Sequence, residues 1–152
     1  MAAESGDREF VITRVVRAPR ERVYDAFLDT GTISNWWGPR GFTTTTIEAD
    51  ARPGGVWRFV MHGPDGVDYP NRIVYKELTR PERLVYDHDA DVPDDVGRFR
   101  VTIRFESVEG GTRVTMRLVF LTVEEFERIK RFGAIEGGRE TLARLEEFLV
   151  SR

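Results

Sequence analysis

Arg98-Phe99-Arg100-Val101-Thr102-Ile103-Arg104-Phe105-Glu106 and, after the turn Glu109-Gly110-Gly111, Thr112-Arg113-Val114-Thr115-Met116-Arg117-Leu118-Val119-Phe120 decide the fold. In the first stretch Phe99, Val101, Ile103 and Phe105 alternate with charged or polar residues. In the second, Val114, Met116, Leu118 and Phe120 alternate with Arg113, Thr115 and Arg117. A period of two gives each strand one buried and one solvated face, as in an antiparallel sheet. The arginines at 98, 100, 104, 113 and 117 then form a stripe on the outer face, where cross-strand pairing with acids is the simple expectation.

Residues 9–17, 42–50, 56–62, 68–78 and 83–90 read as five more strands from their β-branched and aromatic content. Arg52-Pro53-Gly54-Gly55 and Gly63-Pro64-Asp65-Gly66 are explicit turns, the second suited to type I. Turns this short join antiparallel neighbours, because a parallel crossover needs a dozen or more residues. Strands two to seven therefore form a meander.

Helical spacing brackets this sheet. Pro19 suits a first helical turn, and Val23, Tyr24, Ala26, Phe27 and Leu28 follow on one face. A short helix is expected over residues 33–37, before the Gly38-Pro39 stop. Thr122-Val123-Glu124-Glu125 is a capping-box pattern. No proline follows it before Val150, so a helix of about 28 residues, roughly 42 Å long, is expected. Gly133, Gly137 and Gly138 interrupt it, which signals close packing or a break. Phe126, Ile129 and Phe132 step by three and spread apolar groups over a wide arc.

The chain has 152 residues, 40% hydrophobic and 32% charged, and a net charge of −3. This suits one globular domain, with residues 1–8 as a polar tail and 9–152 as the domain. The absence of cysteine excludes disulfides, thiolate metal sites and a cysteine nucleophile. Two histidines, His62 and His88, exclude a three-histidine metal site. Neither a metal nor a cofactor is expected. The charge gives no basic footprint for nucleic acid. There is no apolar run of membrane-span length and no apolar core for a signal peptide, so a cytoplasmic location is the default.

One helix covers a stripe about 10 Å wide and cannot fill the concave face of seven strands. The remaining space holds either large side chains or a cavity. The residues expected to face it, and to contact a small hydrophobic ligand, are Trp36, Trp57, Phe59, Met61, Tyr75, Tyr86, His88, Phe99, Val101, Ile103, Met116, Leu118, Phe126, Ile129 and Phe132. His88 is the best acid–base candidate because it titrates near neutrality. Tyr75 and Glu77 are weaker ones, Glu77 because it shares strand parity with Ile73 and Tyr75. Asp87 should point to the opposite face from His88. His62 ends a strand and is expected at the surface. No Ser–His–acid order and no paired-carboxylate motif occurs.

The order strand, two short helices, six-strand meander and long helix resembles the α+β helix-grip fold of the START/Bet v 1-like (SRPBCC) superfamily. Arg17-Ala18-Pro19-Arg20-Glu21-Arg22-Val23-Tyr24-Asp25-Ala26-Phe27 resembles its strand-to-helix junction. Trp36-Trp37-Gly38-Pro39 with Gly41-Phe42-Thr43 is similar to the tryptophan motif of the branch named for the activator of heat-shock-protein-90 ATPase homologue. Asp50-Ala51-Arg52-Pro53-Gly54-Gly55-Val56-Trp57, Tyr75-Lys76-Glu77 with Pro81-Glu82-Arg83-Leu84, and Gly111-Thr112-Arg113-Val114-Thr115 resemble further blocks, with Leu142 and Leu145 in the last helix. The likeness covers about residues 9–150. It departs at Asp87-His88, where the family commonly has a threonine and an aromatic residue, and at Arg139, where an aromatic is frequent. An acidic stretch, 89–95, follows the first departure.

The resemblance implies a curved seven-stranded antiparallel sheet wrapped around a long C-terminal helix. It also implies a range of roles, since the superfamily includes lipid and hormone binders and polyketide cyclases. Three expectations follow. One is a non-catalytic domain that binds a hydrophobic molecule between sheet and helix. The second is a cyclase or dehydratase-like enzyme using the same pocket. The third is a module that docks a chaperone through the arginine face; a homodimer is the other partner expectation, with no surface assigned to it.

Overall fold

The computed structural model describes residues 8–91 and 98–151. Most of the expected N-terminal tail and the end of the acidic stretch 89–95 lie outside the described residues. Seven strands form one curved antiparallel sheet: β1 (Glu9–Val16), β2 (Thr43–Ala49), β3 (Val56–His62), β4 (Asp68–Thr79), β5 (Arg83–Asp89), β6 (Phe99–Val108) and β7 (Gly111–Phe120). Their order is β1-β7-β6-β5-β4-β3-β2. Strands two to seven form the expected meander, and β1 closes the far edge against β7. The turn at Gly63 to Gly66 closes with a 3.0 Å backbone bond, as its sequence requires.

Alternation delivers the inner face. Val101, Ile103 and Phe105 on β6 and Val114, Met116 and Phe120 on β7 are all buried. The arginines between them face out and pair with acids: Arg100 with Asp87 at 2.8 Å and Arg117 with Glu9 at 2.7 Å. These exposed pairs contribute little each, about 0–1 kcal/mol.

The helix α1 (Arg20–Leu28) buries Val23, Tyr24, Ala26 and Phe27 against the sheet. A short 3-10 turn, Ile33–Asn35, follows and leads into the tryptophan pair. The expected continuous C-terminal helix is two helices, α2 (Val123–Arg131, 9 residues) and α3 (Ala134–Val150, 17 residues). Thr122 caps α2 through its hydroxyl, which accepts from the Glu125 amide at 3.1 Å. The break is at Gly133, whose φ is +91°. This left-handed conformation costs an L-residue about 1–2 kcal/mol and a glycine almost nothing.

Gly138 serves packing instead. A Cβ there would come within 2.3 Å of Ile12 Cδ1, so the glycine lets α3 lie close on β1. Beyond it, Leu142, Leu145 and Leu149 enter the core. Glu146 pins the same helix to β1: it accepts from Arg14 Nη2 at 2.7 Å, Arg17 Nε at 2.9 Å and the Arg17 amide at 3.0 Å. Burial pushes its pKa up, but these hydrogen bonds outweigh that and hold it below the usual carboxylate value.

Candidate functional site

The helices cover the inner face unevenly. At the end built from the close of β3 and β5 and the start of β4 and β6 lies a recess of about 670 Å³. Its floor is Met61 on β3, Asn71 on β4, Tyr86 and His88 on β5, Phe99 and Val101 on β6, and Met116 and Leu118 on β7. Ile129 of α2, Phe132 and the glycine side of α3 form its roof, with Thr141 beyond. One wall is the loop from Trp37 to Phe42. Exposed Arg40, Arg128 and Glu136 stand at the rim.

A single arginine shapes that wall. Arg144 of α3 donates to the carbonyls of Gly38 at 2.8 Å and Pro39 at 3.2 Å, with longer contacts to Trp37 and Phe42. Thr44 adds a 3.0 Å bond to the Trp37 carbonyl. Loop carbonyls that have no strand partner are thereby satisfied, as semi-buried backbone must be.

The tryptophan pair divides between two tasks. Trp36 packs edge-on to Phe27 beneath α1, with ring centroids 5.1 Å apart, and does not line the recess. Trp37 lines it and lies edge-on over Trp57 at 5.2 Å and over Phe59 at 6.0 Å. Trp57 and Phe59 are consequently screened from the recess. Tyr75 and Ile103 sit farther along their strands toward α1, inside the core. Phe126 turns under α2 against Phe10 and Phe120. Met61, Tyr86, His88, Phe99, Val101, Met116, Leu118, Ile129 and Phe132 are the named residues that do line it. Phe132 stands at its edge, 69% exposed.

Trp37, Phe42, Tyr69, Asn71 and Thr141 also line the recess; Trp37 and Phe42 belong to the tryptophan motif but are not among the residues expected to contact the ligand. Strand parity with Ile73 offered a signal for Tyr69 and Asn71. Nothing in a Trp-Trp dipeptide says which ring faces which way.

Glu77 does not take the inward position expected from strand parity. A register irregularity between Tyr75 and Glu77 shifts the parity of β4, as an extra residue in one strand does. Leu78 takes the inward position, and Glu77 joins Arg83 at 2.8 Å and Thr79 at 2.9 Å on the outer face. It has no part in the recess. His62 is also on the outside, between Thr45 Oγ1 and Asp68 Oδ1, each at 2.8 Å. That chain has the order of a nucleophile relay, but it lies on an open strand surface and not in a cleft.

His88 does face inward, and Asp87 outward to Arg100, so the two form no dyad. The His88 ring lies against Phe99, with centroids 4.8 Å apart, and its Nε2 meets Asn71 Oδ1 at 2.8 Å. Burial pushes its pKa down to about 4, although the nearby Asp89 carboxylate pulls it up. The imidazole is therefore neutral at pH 7. Burial also raises the Tyr75 and Tyr86 hydroxyls, which stay protonated. A base whose conjugate acid has a pKa near 4 is far from the ideal for proton abstraction at neutral pH. The chemistry on offer is apolar contact and neutral hydrogen bonding. Among the described residues no group of three or more His, Cys, Asp or Glu side chains is placed to hold a metal.

The family model for Activator of Hsp90 ATPase homolog 1-like protein matches residues 17–150. The chain belongs to that family. Solved structures of the same shape include a protein from Nitrosomonas europaea, 24% identical over 97% of each chain with a TM-score of 0.86. One from Chromobacterium violaceum is 27% identical over 92% of this chain and 96% of its own, with a TM-score of 0.80. One from Arthrobacter aurescens is 24% identical over 96% and 88%, with a TM-score of 0.87. No curated protein matches. Membership of the Activator of Hsp90 ATPase homolog 1-like family accounts for the helix-grip architecture and supports a ligand-binding domain in general terms. A fold of this kind hosts many activities, so the specific function has to come from the site. Among the described residues no helix is long and apolar enough to cross a membrane.

Proposed function

We propose that this protein binds a small, mostly apolar molecule in the recess between the sheet and helices α2 and α3, without transforming it. The observation that carries the reading is the recess itself. Its volume, about 670 Å³, falls within the range of small-molecule sites. Its floor is aromatic, aliphatic and methionine side chains with three convergent polar groups, Asn71, Tyr86 and His88. Methionine is adaptable, and Met61 and Met116 on opposite sides can conform to ligands of different outline.

Catalysis of the cyclase or dehydratase kind is supported less well. His88 is a weak base, Glu77 is outside, and Tyr75 is beyond the lining. The arginine face is a poor docking surface for a chaperone, because Arg100 and Arg117 are already neutralised by Asp87 and Glu9.

Native mass spectrometry of the protein isolated from its own host tests the reading. A retained small molecule that is lost in a Val101→Trp variant, whose indole would fill the floor, is the expected result. A folded protein that retains nothing, and whose Trp37 emission is unmoved by any apolar probe, would overturn it.

A further inference from the structure

His88 and Tyr86 stand two residues apart on β5 and face the same way, with ring centroids 6.4 Å apart. Their surroundings fix what each can offer. The Asn71 side-chain amide donates through Nδ2 to the Tyr69 carbonyl at 2.8 Å. Its oxygen is thereby turned to His88 Nε2, also at 2.8 Å. An oxygen can only accept, so the neutral ring carries its proton on Nε2. Nδ1 is left as a lone-pair acceptor, and no described group donates to it. The Tyr86 side chain is buried, and no described group bonds its hydroxyl. Beside the ion-paired Asp89, His88 and Tyr86 thus present one fixed acceptor and one donor, neither of them charged.

We infer that the recess selects an uncharged aromatic ligand bearing a hydroxyl or N–H group, which donates to His88 Nδ1 and accepts from Tyr86, and that it discriminates against carboxylates. The inference rests on the recess being the binding site. Aromatic ligands are favoured because Trp37, Phe99 and the His88 ring offer faces and edges for stacking. A carboxylate has no proton for Nδ1, and the arginines that line the recess, Arg40 and Arg128, stand at its exposed rim, where water screens them. Asp89, a carboxylate 4% exposed that lines the recess next to His88 and pairs with Arg72 at 2.8 Å, disfavours a second carboxylate there. An ether in place of the hydroxyl would leave Nδ1 buried and unbonded, which costs more than the bond itself contributes. Asn71 acts here as a positioning residue, through the ring it orients.

Calorimetric titration with 2-naphthol, 2-methoxynaphthalene and 2-naphthoate separates the cases. The alcohol should bind about tenfold more tightly than the ether, and the carboxylate most weakly. In His88→Phe the gap between alcohol and ether should close while the aromatic scaffold still binds. Long-range ¹H–¹⁵N spectra of the wild-type chain give a second reading that needs no variant. Nδ1 should show a pyridine-type signal that moves upfield on adding 2-naphthol. If alcohol and ether bind equally, or if Nδ1 carries the proton, the inference falls and the recess reading stands. If none of the three binds, the recess reading fails and the inference falls with it.

Discussion

The two ends of the sheet's inner face are made of the same alternating strands, yet one is solid and the other is hollow. At the α1 end, Phe105 takes Tyr24 edge-on at 5.3 Å and Phe27 at 5.5 Å, and Trp36 closes on Phe27. Leu142 and Leu145 are wholly buried there. At the other end, the first turns of α3 carry Gly137 and Gly138 where leucines stand later. The chain breaks at Gly133, so α2 leaves the line of α3. The difference lies in the helices. The strands supply apolar faces everywhere, and space remains where the helix opposite them is glycine-rich and interrupted.

The largest test of that contrast is truncation on either side of it. Leu145→Ala should cost about 3–4 kcal/mol in urea unfolding, because a packed site cannot collapse around the lost atoms. Leu118→Ala, on the recess floor, removes a partly exposed side chain and opens no new void. It should cost under about 1 kcal/mol, and equal losses would mean that the two ends are packed alike.

Next comes the pin that holds α3 over both ends. Glu146→Gln keeps the shape and removes the charge between Arg14 and Arg17. A loss of about 2 kcal/mol is expected, below the figure for a fully buried pair, since the two arginine side chains keep 40% and 69% of their exposure. Its folded pKa lies below the usual value of 4.5, so the stabilisation is complete above that pH and is lost as pH falls further. Acid unfolding of the variant should start from a lower plateau and fall less steeply below pH 4.5.

His88 belongs to a different pH window and to the hollow end. The unfolded chain takes up a proton on this residue below about 6.5, and the folded chain resists until about 4. More protons are bound in the unfolded state across that interval, so stability declines as pH falls from 6.5 to 4. His88→Phe should be flat there while keeping the carboxylate-driven loss at lower pH. A wild-type stability that is flat over the same interval would mean that the ring is not held neutral by burial.

These tests also mark how far the residues spoke for themselves. Strand faces were legible because period two is a property of the backbone, and Val101, Met116 and Leu118 lie where alternation places them. The motif order from Arg17 to Leu145 carried the family. Which of Trp36 and Trp37 takes which task was not legible, because it depends on Arg144, 107 residues from Trp37, gathering the loop carbonyls. Nor was the Asn71–His88 pairing, which needs the register of β4 against β5. The helix break was half legible: the glycines announced an irregularity, and only the positive φ at Gly133 assigns it to a turn.

Glu77 is the smallest expected effect and the sharpest check on register. Simple alternation puts its carboxylate in the interior beside Tyr75, where removing it would alter both the core and any chemistry. The irregularity at Lys76 puts it in water beside Arg83 and Thr79, whose hydrogen bonds hold its pKa below the usual value. Exposed pairs of this kind are nearly neutral to stability. Glu77→Ala should therefore leave the urea midpoint and the binding of an apolar probe unchanged, whereas Leu78→Ala, one residue on, should destabilise. The reverse ranking would restore strict parity to β4 and bring the carboxylate back inside.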